Sequence, residues 1–108
     1  MTQKPVVPRA QANRDVEDAL NWYRSENAER AALGFIDALE KAYARLSRFP
    51  ASGSLRLAHE LDLPGLRVWP LAHSPQLIFY VERDDWVDVW RVLHGQRDVP
   101  NSLAEPDT

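Results

Sequence analysis

Apolar residues recur with a helical period in the first half of the chain and gather in strand-like runs in the second. Between Arg9 and about Glu26, Ala12, Val16, Ala19, Leu20 and Tyr23 share one helical stripe, and Trp22 flanks it. Asp15, Glu17 and Asp18 lie toward the N-terminal part of this helix, where carboxylates suit the helix dipole. The segment Ser25–Glu29 reads as a break, with Asn27 as the next N-cap candidate. A second stripe follows at Ala32, Phe35, Ile36, Leu39, Tyr43 and Leu46. Gly34 inside this helix costs about 1 kcal/mol relative to alanine, which points to close packing at that position. Pro50 ends the helix near Phe49. So short a connection predicts that the two helices form an antiparallel hairpin.

The second half reads differently. Residues 51–65 contain Gly53, Pro64 and Gly65 and are expected to be loop. Three strand-like runs follow: 66–72, 76–82 and 86–94. Pro70 marks the first as an edge strand or a bulged one. The second is almost wholly apolar, as a central strand should be. Arg83, Asp84 and Asp85 form the hairpin turn before the third, and Asp84, Asp85 and Asp88 are read as a solvated hairpin tip. Strict alternation along the third run puts Arg91 with Val87, Val89 and Leu93, and Trp86, Trp90 and Val92 with Asp88 and His94. A short opening segment, 4–8, holds Val6 and Val7 between prolines and is a candidate first strand. The expected fold is therefore α+β: a short N-terminal strand and a two-helix hairpin packed on a C-terminal, three-stranded antiparallel meander. Residues 1–100 form a single domain and 101–108 a polar tail.

Composition narrows the chemistry. No cysteine occurs among the 108 residues, so a disulfide scaffold, thiolate catalysis and cysteine-ligated zinc are excluded. No apolar run approaches the roughly 20 residues of a spanning helix and the N-terminus lacks a signal-peptide core, so a cytoplasmic protein with no membrane contact is expected. The net charge of −3 argues against direct nucleic-acid binding. The imbalance lies in residues 51–108, which carry 5 basic and 9 acidic side chains.

Catalytic motifs are missing. There is no phosphate-binding glycine loop, no HExxH and no GxSxG. His59, His73 and His94 are scattered, and neither a metal nor a cofactor is implied. The sequence assigns no catalytic residue. The candidates for binding a macromolecular partner are Arg67, Trp69, Trp90, Arg91, His94 and Arg97. Arg67 follows a Pro-Gly turn and Arg97 lies just past the last strand, where each serves either a partner or a loop carbonyl or carboxylate of its own chain. A sheet face bearing tryptophan and arginine in an apolar surround suits protein docking. Tyr23, Phe35 and Tyr80 are assigned to the core.

Six pieces in order carry a family resemblance. They are Ala12–x–x–Asp15–Val16 with Tyr23, Ala32–x–x–Phe35–x–x–x–Leu39, and Phe49–Pro50–x–x–Gly53. Then come Leu63–Pro64–Gly65–Leu66–Arg67, Leu77–Ile78–Phe79–Tyr80, and Arg91–Val92–Leu93–His94–x–x–Arg97–Asp98. Together they resemble the RelE/ParE toxin superfamily of type II toxin–antitoxin systems, and its ParE branch more than its RelE branch. The resemblance implies a toxin neutralised by a cognate antitoxin. A ParE-like chain implies DNA gyrase as target, whereas a RelE-like chain implies ribosome-dependent mRNA cleavage.

Chemistry weighs between the branches. Metal-free RNA cleavage needs cations for the developing phosphorane charge and groups for proton transfer. Where the RelE branch places basic residues, this chain reads Val68–Trp69–Pro70 and Gln76–Leu77. Arg97 alone makes a poor active site. Inhibition by protein binding is therefore favoured over ribonuclease activity. A non-toxic module that only binds antitoxin is the third reading. Charge reversal at Arg67 or Arg97 is expected to weaken binding more than stability.

Overall fold

The computed structural model describes residues 3–95. Its elements run β1 (Val6–Pro8), α1 (Ala10–Ser25), α2 (Glu29–Arg48), α3 (Arg56–Glu60), β2 (Leu66–Pro70), β3 (Gln76–Glu82) and β4 (Val87–His94). A 3₁₀ turn at Pro50–Ser52 and the short α3 occupy the segment expected to be loop. A five-residue helix is too short to show a period, which is why the pattern does not announce it. Arg97 and the tail 101–108 lie outside the described residues. Among the described residues no helix is long and apolar enough to cross a membrane.

The meander β2–β3–β4 is antiparallel, and β1 adds a fourth strand, parallel to β4, giving the order β1-β4-β3-β2. Pro8 is tolerated in β1 because the strand is an edge. The Arg9 amide donates to the Val89 carbonyl (2.9 Å), so the nitrogen of Pro8 faces away from β4. Both helical stripes sit where their period predicts. Tyr23, Phe35 and Leu46 are buried in one core with Ile78, Tyr80, Val87, Val89 and Val92, while Val16, Leu20, Ile36, Leu39 and Tyr43 pack against it. A smaller core of Ala58, Leu66, Phe79, Val81 and Leu93 lies apart from it, with Leu57, Leu63, Val68, Leu77 and Trp90 packed against it.

Strict alternation along β4 fails. Phe79 pairs with Arg91 but Tyr80 pairs with Val89, which leaves Trp90 as an extra residue. This bulge shifts the parity beyond it. Val92 thereby joins Val87 and Val89 in the larger core, and Leu93 turns to the smaller one. Trp86 lies in the β3–β4 turn, where the Arg83 amide donates to its carbonyl (2.8 Å).

Two helix details also differ from expectation. Ala28, not Asn27, is the N-cap of α2. Asn27 takes a left-handed conformation (φ 53°) that reverses the chain after α1, a conformation asparagine tolerates better than most residues. Asp15 lies beyond the first turn of α1 and faces the sheet, so its role is a specific contact, not a dipole effect.

Candidate interaction surfaces

The sequence-predicted residues are spread over several places. Arg67 stands on β2 beside the turn after α2. Its Nη1 donates to the carbonyls of Gly53 (2.9 Å) and Ala51 (3.2 Å). Tyr80, fully buried on β3, completes this lock: its hydroxyl donates to the Pro50 carbonyl (2.7 Å) and accepts from the Gly53 amide (2.8 Å). Burial raises the Tyr80 phenol above its usual range. The Gly53 hydrogen bond and the Arg67 charge work against that rise, and the Glu82 charge adds to it. A side chain at Gly53 would put its Cβ 2.6 Å from the tyrosine oxygen, so the Pro–x–x–Gly element needs its glycine for close approach. Of the two roles open to Arg67, holding a loop carbonyl is the one these bonds perform.

Trp69 and Trp90 lie on opposite faces of the sheet, since Trp69 packs against the larger core and Trp90 against the smaller. The Arg45 guanidinium sits over the Trp69 ring, 5.4 Å from its centroid, and also over Phe49 at 5.2 Å. Trp90 lies under the Arg9 guanidinium at 5.0 Å. Its indole nitrogen donates to Asp88 (3.2 Å).

Asp88 corrects the solvated-tip reading. It is buried, and it accepts from Arg9 Nε and Nη2 (both 3.0 Å) and from Arg83 Nη2 (2.9 Å) and Nε (3.1 Å). Burial pushes its carboxyl upward. The bonds from Arg9, Arg83 and Trp90 and the Arg9 charge outweigh that, and they hold the pKa below the usual carboxylate value. Counting from the turn gives the signal that was missed: Asp88 is the second residue of β4, between two buried valines. Asp84 and Asp85 are exposed, as expected.

Arg91 and His94 belong to a third place, a cleft of about 330 Å³ between α1 and β4. Arg91 Nε and Nη2 each donate to Asp15 at 2.8 Å, and Asp15 also accepts the Val92 amide (3.0 Å). Asp15 thus binds α1 to the edge of β4 that β1 is too short to cover. Nearby, Tyr43 is pushed up to about 12, first by burial and then by the Asp15 charge. Its hydroxyl is buried and makes no hydrogen bond.

The described arginines candidate for binding are therefore committed to their own chain. Arg67 is bonded to carbonyls and Arg91 to a carboxylate. On β2 and β3 they are accompanied by no cluster of cations: Val68, Trp69, Pro70, Gln76 and Leu77 carry no charge. Another cleft, about 630 Å³, runs along α2 beside Trp69, Pro70 and Leu71. Of its lining, only Trp69 is among the binding candidates named from the sequence.

Comparison with known proteins gives a consistent answer. A family model described as the ParE toxin of the type II toxin–antitoxin system parDE matches residues 6–99. Nine chains among solved structures match this fold. One, described as the chromosomal ParDE TA system from P. aeruginosa, superimposes with a TM-score of 0.69 at 14% identity, covering 85% of this chain and 96% of that one. No curated protein matches.

Proposed function

Since the chain belongs to the ParE toxin family of type II toxin–antitoxin systems, we propose that it arrests growth by binding DNA gyrase in the cytoplasm, and that a cognate antitoxin neutralises it. The observation that carries the choice of mechanism is the commitment of its sheet arginines. Arg67 and Arg91 are spent on Ala51, Gly53 and Asp15, and the neighbouring β2 and β3 positions are apolar or neutral. A ribonuclease needs cations gathered at the scissile phosphate. A binder needs only a rigid surface, and the Tyr80, Asp15 and Asp88 networks supply rigidity.

Induced expression without antitoxin tests the reading. Growth arrest accompanied by DNA-damage signalling is expected, and primer extension on cellular mRNA should show no new cuts. Codon-positioned cuts that vanish in Arg97→Ala would replace this reading with ribosome-dependent cleavage. Harmless overexpression would leave only an antitoxin-binding module.

A further inference from the structure

The most exposed large apolar side chain among the described residues is Leu33 on α2, at 64%. It lies off the stripe of Ala32, Phe35, Ile36 and Leu39 that meets the core, so the fold makes no use of it. A single surface leucine is ordinary. Leu33, however, borders a groove of about 370 Å³ between the end of α1 and the start of α2. Leu20 forms the apolar wall on one helix, and Ala32 and Ile36 form it on the other. Gly34 leaves bare backbone next to Leu33. A Cβ built there meets nothing within 4 Å, so the described residues do not require the glycine, contrary to the close packing that the sequence suggests.

The charges of this groove identify its occupant. Arg24 lines it from α1 and Glu29 from α2, and both are exposed. Among the described residues neither has an ion pair: Arg24 reaches only Asn21, at 3.5 Å, and Glu29 has no side-chain bond. One charge of each sign selects neither an acidic nor a basic partner, but the groove is complementary to itself. A two-fold axis lays α1 of each copy over α2 of the other. Arg24 of each copy then meets Glu29 of the second, and each Leu33 enters the opposite groove between Leu20 and Ile36. The sheet edges offer no competing route. On β2 the outward amides of Leu66 and Val68 are bonded to Leu63 (3.1 Å) and Ser54 (3.0 Å), and β1 has only three residues, the last a proline.

We propose that two copies of this chain associate through the outer face of the helix hairpin, as a two-fold dimer with Leu33 as its anchor and Arg24 and Glu29 as its reciprocal charge pairs. The dimer is a weak one. Helices of 16 and 20 residues, set about 10 Å apart, present an outer face of roughly 500 Å², short of the about 800 Å² per partner that a stable complex buries. The proposal stands apart from the toxin reading and does not need it.

Sedimentation equilibrium of the full chain, from about 1 μM to 1 mM, tests it and should show a monomer–dimer equilibrium with a dissociation constant of about 10–100 μM. Leu33→Asp, an exposed change, should abolish association without lowering the melting temperature. Arg24→Glu and Glu29→Arg, each measured alone, bring like charges together and should weaken association by about tenfold or more. Mixed in equal amounts, the two variants should associate about as tightly as the native chain, because one then carries two acids and the other two bases at the facing positions. That recovery also shows that both variants are folded. A chain that stays monomeric throughout, a dimer indifferent to Leu33→Asp, or a mixture that associates no better than its components overturns the proposal.

Discussion

The larger and smaller cores are held together in different ways. The larger contains thirteen buried residues drawn from both long helices, from β3 and β4, and from Leu71 just past β2, so apolar burial suffices to define it. The smaller has five, with the short α3 packed on β2 above it. Near it a carboxylate grips two arginines and an indole, tying the start of α1 to the β3–β4 turn. Where the chain lacks enough apolar surface, it substitutes charge. The two regions should therefore respond differently to pH.

The largest break is expected in the larger core. Phe35→Ala should cost about 3–5 kcal/mol, as deletion of a fully buried aromatic does. That loss should be the same at neutral and mildly acidic pH when measured by urea unfolding. Asp88→Asn should cost about 2–3 kcal/mol at neutral pH, less than a wholly buried ion pair because Arg83 and Arg9 remain partly exposed. Its pH dependence has a definite sign. Folding lowers the Asp88 pKa, so its contribution is present above the unfolded carboxylate value and is lost as pH falls through the folded one. The gap between native protein and Asp88→Asn should close in acid, and a gap independent of pH would show that Asp88 does not hold the smaller side by charge.

Smaller effects sharpen the contrast. Arg67→Glu should lower the melting temperature by several degrees, since about 1 kcal/mol moves a domain of this size by 4–8 °C. The cause is loss of the bonds to Ala51 and Gly53. That drop together with unchanged partner affinity would reverse the sequence-based expectation that Arg67 matters more to binding than to stability. Tyr43→Phe should be the mildest: removing a buried hydroxyl that makes no hydrogen bond should leave stability unchanged or raise it by about 1 kcal/mol. A marked loss in thermal unfolding would mean that this hydroxyl is satisfied in solution.

What the sequence made legible follows the same division. The stripes ending at Tyr23 and Leu46 and the apolar run of β3 are period signals, and they located the larger core, including Tyr23, Phe35 and Tyr80. The smaller side depends on contacts between residues far apart in sequence, such as Arg9 with Asp88 and Lys4 with Glu82. No periodicity encodes those pairs. The bulge at Trp90 is likewise set by the register of β3 on β4, which composition does not reveal. Among the site candidates, Trp69 was named for its residue type, yet the groove beside it became visible only once Gly34, Lys41 and Arg45 were brought against β2. The acidic excess of residues 51–108 also carries less weight than it did as a count. Asp88 is paired with Arg9 and Arg83, and Asp98, Glu105 and Asp107 lie outside the described residues.

Protein binding rather than RNA cleavage is the central claim, and purified gyrase tests it most directly. Added to a supercoiling reaction without antitoxin, the chain should inhibit supercoiling in a dose-dependent way, and should cleave no mRNA on translating ribosomes. Unaffected supercoiling together with ribosome-dependent cleavage of mRNA would contradict it.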